Sequence, residues 1–148
     1  AIGALQGAIN AFRDNAAGHI GKHGAKTAED PAAQAAVAEA IITVDALKLV
    51  LARNYGHLLA LAEAGQYPDV ETRLLYRYQS SHVTNVCADR ASDLLRCMAA
   101  SGLYSGNPVA RYFRDLHQAR GHIANNEAAY RRSYGLVQLG LPNADPFV

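Results

Sequence analysis

Arg111, Asp115, Gln118, His122 and Asn125 or Asn126 recur along one segment at spacings that place them on a single stripe of a helix. A second stripe, Val109, Tyr112, Leu116, Ala119, Ile123 and Tyr130, is apolar and falls roughly opposite. One face therefore packs and the other is polar. A solvated helix face is usually mixed and rich in Lys and Glu. This one carries a guanidinium, a carboxylate, amides and an imidazole, groups with fixed hydrogen-bond geometry. Arg111 and Asp115 are spaced to pair at i,i+4. Residue types alone leave two readings equally open: the stripe meets water, or it is one wall of a site that orients a polar ligand.

Other chemistry-bearing residues give weaker patterns. A di-iron helical bundle needs Glu-x-x-His pairs pointing inward, and Glu39, Glu63, Glu71 and Glu127 have no His three residues on. His19 and His23 have the spacing of two ligands on one helix face, but nothing near them completes a set, so they read as solvated residues at a helix end. No metal is expected. His57 and His82 read as hydrogen-bonded packing residues. Arg73, Arg77, Arg90 and Arg96 could gather an anion, although a solvated face is the simpler reading. Cys87 and Cys97, if on one helix, stand about 15 Å apart along its axis, too far for a disulfide. They read as small buried hydrophobes of a reducing compartment, the cytoplasm.

The elements that position these residues are helices. The chain has 148 residues, half of them hydrophobic, with Lys and Arg numbering 14 against 13 Asp and Glu. That suffices for one domain with a real core. No basic run argues for nucleic acid, no apolar stretch is long enough for a membrane span, and the opening residues lack the basic flank of a signal peptide. The first residue is not Met, and a helix is already under way there, which leads us to expect a piece of a longer chain.

Abundant alanine and the absence of alternating runs predict helix throughout. The first helix runs from Ile2 to His19 or Ile20 and is broken by Gly18, Gly21 and Gly24. The second starts at Asp30-Pro31, a cap followed by proline at the first helical position, and stops at Gly65. The third runs from a cap at Asp69 to Gly102. The fourth runs from Asn107-Pro108 to about Tyr134 and ends at Gly135. A tail with two prolines comes after it. Long helices joined by short turns predict an all-α, antiparallel up-down four-helix bundle.

The segment NPVARYFRDLHQARGH resembles the last helix of the two-component flavin-dependent monooxygenases built on the acyl-CoA dehydrogenase fold. The matching positions are Asn107-Pro108, Arg111, Arg114-Asp115 and His122, with Tyr134-Gly135 and Leu139-Gly140-Leu141 similar to the family's ending. The run ALQGAINAF and the segment EDPAAQ resemble the two helices that open the family's C-terminal bundle, although Gln6 stands where relatives often carry Arg. The resemblance implies the C-terminal domain of an oxygenase that takes reduced FMN or FAD from a separate flavin reductase. With O2 it would hydroxylate a small, aromatic substrate. It implies that His122 hydrogen-bonds the substrate or the oxygenated flavin, that Arg111 and Asp115 position it, and that Arg114 holds a neighbouring domain or subunit. It also implies that Ser101, Gly102, Tyr104 and Ser105 approach the flavin, and that the bundle sits at the centre of a homotetramer. The N-terminal helical and β-barrel domains of the family are absent, so the chain alone should not turn over. The acyl-CoA dehydrogenases are the nearest rival, but they carry a catalytic carboxylate where this chain has Gly121-His122-Ile123. Without it no base takes the α-proton of an acyl thioester. A third reading is an interaction bundle with no activity.

Overall fold

A computed structural model of the chain describes residues 1–20, 26–104, 106–143, 145, 146 and 148. The described residues are all-helical and form five α-helices: α1 Ile2–Ala16, α2 Pro31–Glu63, α3 Val70–Cys97, α4 Pro108–Arg120 and α5 Glu127–Gln138. Short 3-10 segments occupy Thr27–Glu29, Ala99–Leu103 and Ile123–Asn125. Among the described residues there is no β-strand, only an isolated bridge between Ile20 and Lys26.

The helix starts are local chemistry. Asp30 accepts a hydrogen bond from the Ala32 amide at 3.0 Å, and Asp69 accepts one from Thr72 at 2.7 Å. That backbone contact holds the Asp69 carboxyl below its ordinary value. Asn107 accepts from Val109 at 2.9 Å and Ala110 at 3.4 Å, with Pro108 beginning α4. These side chains satisfy amides that have no partner inside the helix. Two helix ends are built on glycine in the left-handed region. Gly65 (φ 66°) comes just after α2 and Gly140 (φ 76°) just after α5. In each, the next amide donates back to the carbonyl five residues earlier, Gln66 to Leu61 and Leu141 to Leu136.

Three expected boundaries are corrected. The first helix ends at Ala16, before His19, whose ring nitrogen lies 2.8 Å from the Thr27 hydroxyl oxygen. His23 lies outside the described residues. The third helix ends at Cys97, and a 3-10 segment takes the chain through Gly102. Above all, the fourth helix is not continuous to Tyr134. It stops at Arg120, and α5 begins at Glu127 and runs through Gly135. Gly140 supplies the left-handed turn that was expected at Gly135.

The core is small-residue packing. Leu5, Ala8, Ile9 and Phe12 of α1 meet Ala33, Ala36, Ala40, Val44 and Leu47 of α2, with Val83, Cys87, Ala88, Ala91 and Leu94 of α3 and Val109 and Leu116 of α4. Contacts between α2 and α3 run in reverse order, Glu39 with Arg90, Asn54 with Gln79, and His57 with Tyr76. α4 and α5 both lie along α3: Ser92 meets His117, Asp89 meets Arg120, His82 meets Glu127 and Glu71 meets Gln138. The opposing α1 and α4 approach closely, for a Cβ at Gly7 would fall 2.5 Å from the Tyr112 ring.

Cys87 is buried and Cys97 half-buried, and neither is in a disulfide. Burial pushes the Cys87 thiol up to about 11. Burial, with Asp30 and Asp93, also raises Cys97. At pH 8 iodoacetamide should therefore label native Cys97 slowly and leave Cys87 unlabelled until the chain unfolds; mass mapping of the labelled peptides checks this.

Candidate functional site

The break between α4 and α5 builds the site. At His122 the backbone turns extended (φ −70°, ψ 140°), and its Nδ1 accepts a hydrogen bond from the Ala124 amide at 3.1 Å. The imidazole thus caps the 3-10 turn that begins there. The side-chain amide of Asn125 donates to the Ala119 carbonyl at 2.7 Å, a second donor beside the His122 amide at 3.2 Å, and so ties the turn back to the end of α4. α3 holds the turn from below. Asn85 donates to the Asn125 main-chain carbonyl at 3.2 Å, and the Thr84 hydroxyl to the Asn125 side chain at 3.3 Å.

Over this break opens a cleft of about 750 Å³. One face of α3 forms its floor with His82, Asn85, Val86 and Asp89, and its rim includes Arg120, His122, Asn125, Glu127 and Arg131. Both carboxylates on the cleft face a basic group: Asp89 lies 2.8 Å from Arg120, and Glu127 lies 3.2 Å from His82 Nδ1. His122 is different. With Nδ1 accepting from Ala124, its neutral ring carries the proton on Nε2, which is left as a donor. The cleft therefore combines a fixed N–H donor with amides and ion pairs, a set suited to a small ligand with an electron-rich oxygen.

The expected site residues are not all gathered here. His122 lines the cleft, but Arg111 and Asp115 do not. Both are exposed on α4, about 16 Å and 10 Å along the axis from His122. No ion pair joins them among the described residues; Arg111 lies over the Tyr112 ring, 4.9 Å from its centre. Arg114 is also exposed. Ser101 and Gly102 stand near the other end of α4, about 20 Å away along its axis. There the Ser101 hydroxyl donates to Met98 and its carbonyl accepts from Asn107. Tyr104 is exposed, and Ser105 lies outside the described residues.

The apolar stripe also divides at the break: Val109, Leu116 and Tyr130 are buried, while Ile123 is 80% exposed. Sequence reasoning passed over Asn85, Asp89 and Arg120, weighed Glu127 only as a di-iron ligand, and took His82 for a packing residue. The signal was there in the helical spacing of His82, Asn85 and Asp89 on α3. The arginines of α3 do not gather around one anion: Arg90 pairs with Glu39 and Asp93, Arg96 with Asp93, and Arg77 with Asp145. Among the described residues no three His, Cys, Asp or Glu side chains cluster to hold a metal ion, and no helix is long and apolar enough to cross a membrane.

Known proteins share this architecture. The family model for the acyl-CoA dehydrogenase C-terminal domain matches residues 1–127. The chain is 31% identical to the oxygenase subunit HsaA of a flavin-dependent monooxygenase from Rhodococcus jostii, over 99% of its own length and 39% of that protein. It is 32% identical to the oxygenase component of an FADH2-dependent resorcinol hydroxylase from Rhizobium sp., over 95% of its own length and 36% of that protein. The crystal structure of 3-HSA hydroxylase from Rhodococcus sp. superposes with a TM-score of 0.87 at 31% identity, covering 99% of this chain and 38% of the other. The chain thus spans somewhat over a third of the length of the relatives it matches, and the resemblance read from its last helix is to the same group of oxygenases.

Asn125 is the residue on which the cleft's shape turns. Asn125→Ala removes the amide on Ala119 and the acceptor of Thr84, and should cost about 1–3 kcal/mol. Thermal melting should register this as a drop of several degrees, while Asn126→Ala, at an exposed neighbour, changes little.

Proposed function

The chain belongs to the acyl-CoA dehydrogenase C-terminal-domain family, and from that premise we propose that it is the C-terminal part of a flavin-dependent monooxygenase. The oxygenase subunit would take reduced flavin from a partner reductase and hydroxylate a small aromatic substrate. The observation that carries this reading is His122: an imidazole fixed through Nδ1, with its Nε2–H left as a donor on an open polar cleft. The similarity to two hydroxylating oxygenases supports it.

Reduced flavin, when bound, supplies the electron pair with which O2 yields one oxygen atom for the substrate and one for water. The residues of this chain bind and orient. The Nε2–H of His122 donates to the substrate's phenolic oxygen or to the oxygen being transferred. Asn85 and the paired Arg120 and Asp89 keep the cleft floor polar and fixed. The cleft's donors fit an electron-rich oxygen on flavin or substrate. Its two carboxylates, each beside a basic group, are poorly placed as the free base that acyl thioester oxidation needs.

Arg111, Asp115 and Arg114 present exposed polar groups to the remainder of the longer protein, where Arg111 and Asp115 would support His122 and Arg114 would hold a neighbouring domain or subunit. The segment Ser101, Gly102, Tyr104 and Ser105 would approach the flavin of a neighbouring subunit, in keeping with its distance from His122. FADH2 use by the resorcinol hydroxylase favours FAD over FMN. The rods α1, α2, α3 and the broken α4–α5 pair would run up-down-up-down in a cytoplasmic homotetramer. Ile42, Leu49, Tyr55 and Leu59, more than half exposed on α2, would lie in its interface.

His122→Asn separates the two roles of the ring. An Asn side chain can still accept from the amide two residues on, but it lacks the Nε2–H. In the longer oxygenase, product formed per reduced flavin should fall about a hundredfold, with the melting temperature nearly unchanged. Fully coupled hydroxylation by this variant, or bleaching of the bound flavin by an acyl-CoA without O2, would overturn the proposal.

A further inference from the structure

The tail after α5 reaches the break that carries His122. Gly140 turns the chain out of the helix, and Asn143 folds the tail back on itself. Its side-chain oxygen accepts from the Asp145 amide at 2.8 Å, and its nitrogen donates to the carbonyls of Asp145 at 3.2 Å and Val148 at 2.8 Å. This brings the Asp145 carboxylate, only 5% exposed, to 3.4 Å from Arg77 Nε on α3. A carboxylate so buried must face a positive charge, so the tail is tied to α3 at this point.

Arg77 passes the connection on. Its guanidinium lies over the Tyr130 ring, 4.5 Å from the centre, and its Nη2 donates to the Tyr130 hydroxyl oxygen at 3.2 Å. The Tyr130 hydroxyl donates in turn to the Ile123 carbonyl at 3.3 Å. Ile123 is the residue directly after His122, and its own side chain is 80% exposed. Apolar packing therefore does little to hold this turn in place. It is held by polar contacts: Asn85 and Thr84 on one side, Tyr130 on the other. Arg77, Ile123, Tyr130, Asp145 and Pro146 together line a small cavity of about 360 Å³ beside the main cleft, so the relay is closely but not solidly packed.

We propose that Asp145 is a positioning residue for His122, acting through Arg77 and Tyr130 on the Ile123 carbonyl. The inference rests on the reading of His122 as the ligand-facing donor. The tail thereby sets where the Nε2–H points, and a shift of the turn moves the donor without removing it.

The Ala124 amide reports the geometry directly, because it donates to His122 Nδ1. Hydrogen exchange on the 148-residue chain, comparing Asp145→Asn and Tyr130→Phe with the parent, tests the relay. Asp145→Asn keeps the shape and removes the charge, and Tyr130→Phe removes only the hydroxyl that reaches Ile123. Both should speed Ala124 exchange about tenfold while the amides of Cys87 and Leu94 stay within about twofold. In the longer oxygenase both should also lower product per reduced flavin about tenfold, with flavin binding unchanged. No local acceleration, or equal acceleration through α1 to α3, overturns the relay. Local acceleration with coupled hydroxylation overturns the positioning role. If His122→Asn is also fully coupled in the same assay, the reading of His122 itself has failed.

Discussion

The structure around the cleft depends on one interrupted helix. Where the ladder of α4 stops at Arg120, its last carbonyls lose their i+4 amide donors and take others. The amides of Gly121 and His122 bend into tighter contacts with Gln118 and Ala119, and the Asn125 amide reaches back to Ala119 as a second donor. The chain can make this turn only by leaving helical geometry at His122. That departure lifts the imidazole out of the helix surface, occupies one of its nitrogens, and opens the space between α4 and α5 above α3. Had the helix continued, His122 would be one more group on a polar stripe beside Arg111 and Asp115.

Rigid surroundings make such a break useful. The core beneath it is rich in alanine, with Ala8, Ala33, Ala40, Ala88 and Ala91 almost fully buried. Small side chains let the helices approach closely and leave few rotamers to rearrange. Gly7 against Tyr112 is the extreme case. The closeness carries along α3, so the face bearing His82, Asn85 and Asp89 is fixed relative to the turn it supports. Ion pairs at the rim add little stability in water. Their effect is rather to set Asp89 and Glu127 beside basic partners, so that neither stands open on the cleft.

Local signals were legible and distant ones were not. Asp30-Pro31, Asp69 and Asn107-Pro108 mark helix starts because the capping contact spans only two or three residues. Gly65 marks a helix end for the same reason. Gly121 gave no such signal, since a lone glycine inside a helical pattern is ordinarily tolerated, and the apolar period runs on through Ile123 to Tyr130. What holds the chain in its new course past the end is a set of contacts to Asn125 from α3, by Thr84 and Asn85, which no reading of the segment itself contains. Gly135 misled in the opposite sense: it looks like a terminator, but the turn falls at Gly140, where the carbonyl of Leu136 finds the Leu141 amide. At the site, the resemblance of the Asn107–His122 segment to the last helix of the monooxygenases singled out His122, whereas Glu127 and Arg120 became visible only once the break had folded them over α3.

The placement of the Nε2–H donor bears on why a histidine stands at this corner. A carboxylate there could accept the Ala124 amide equally well, but its charge would face the floor already occupied by Asp89, with Glu127 close by on the same rim. Like charges so placed raise one another's cost of ionisation, and a carboxylate that stays ionised has no proton to donate. The imidazole satisfies the turn with one nitrogen and keeps a proton on the other without adding negative charge. The fold thus requires an acceptor at position 122 and the polar cleft favours a donor there, and histidine meets both demands with one planar group.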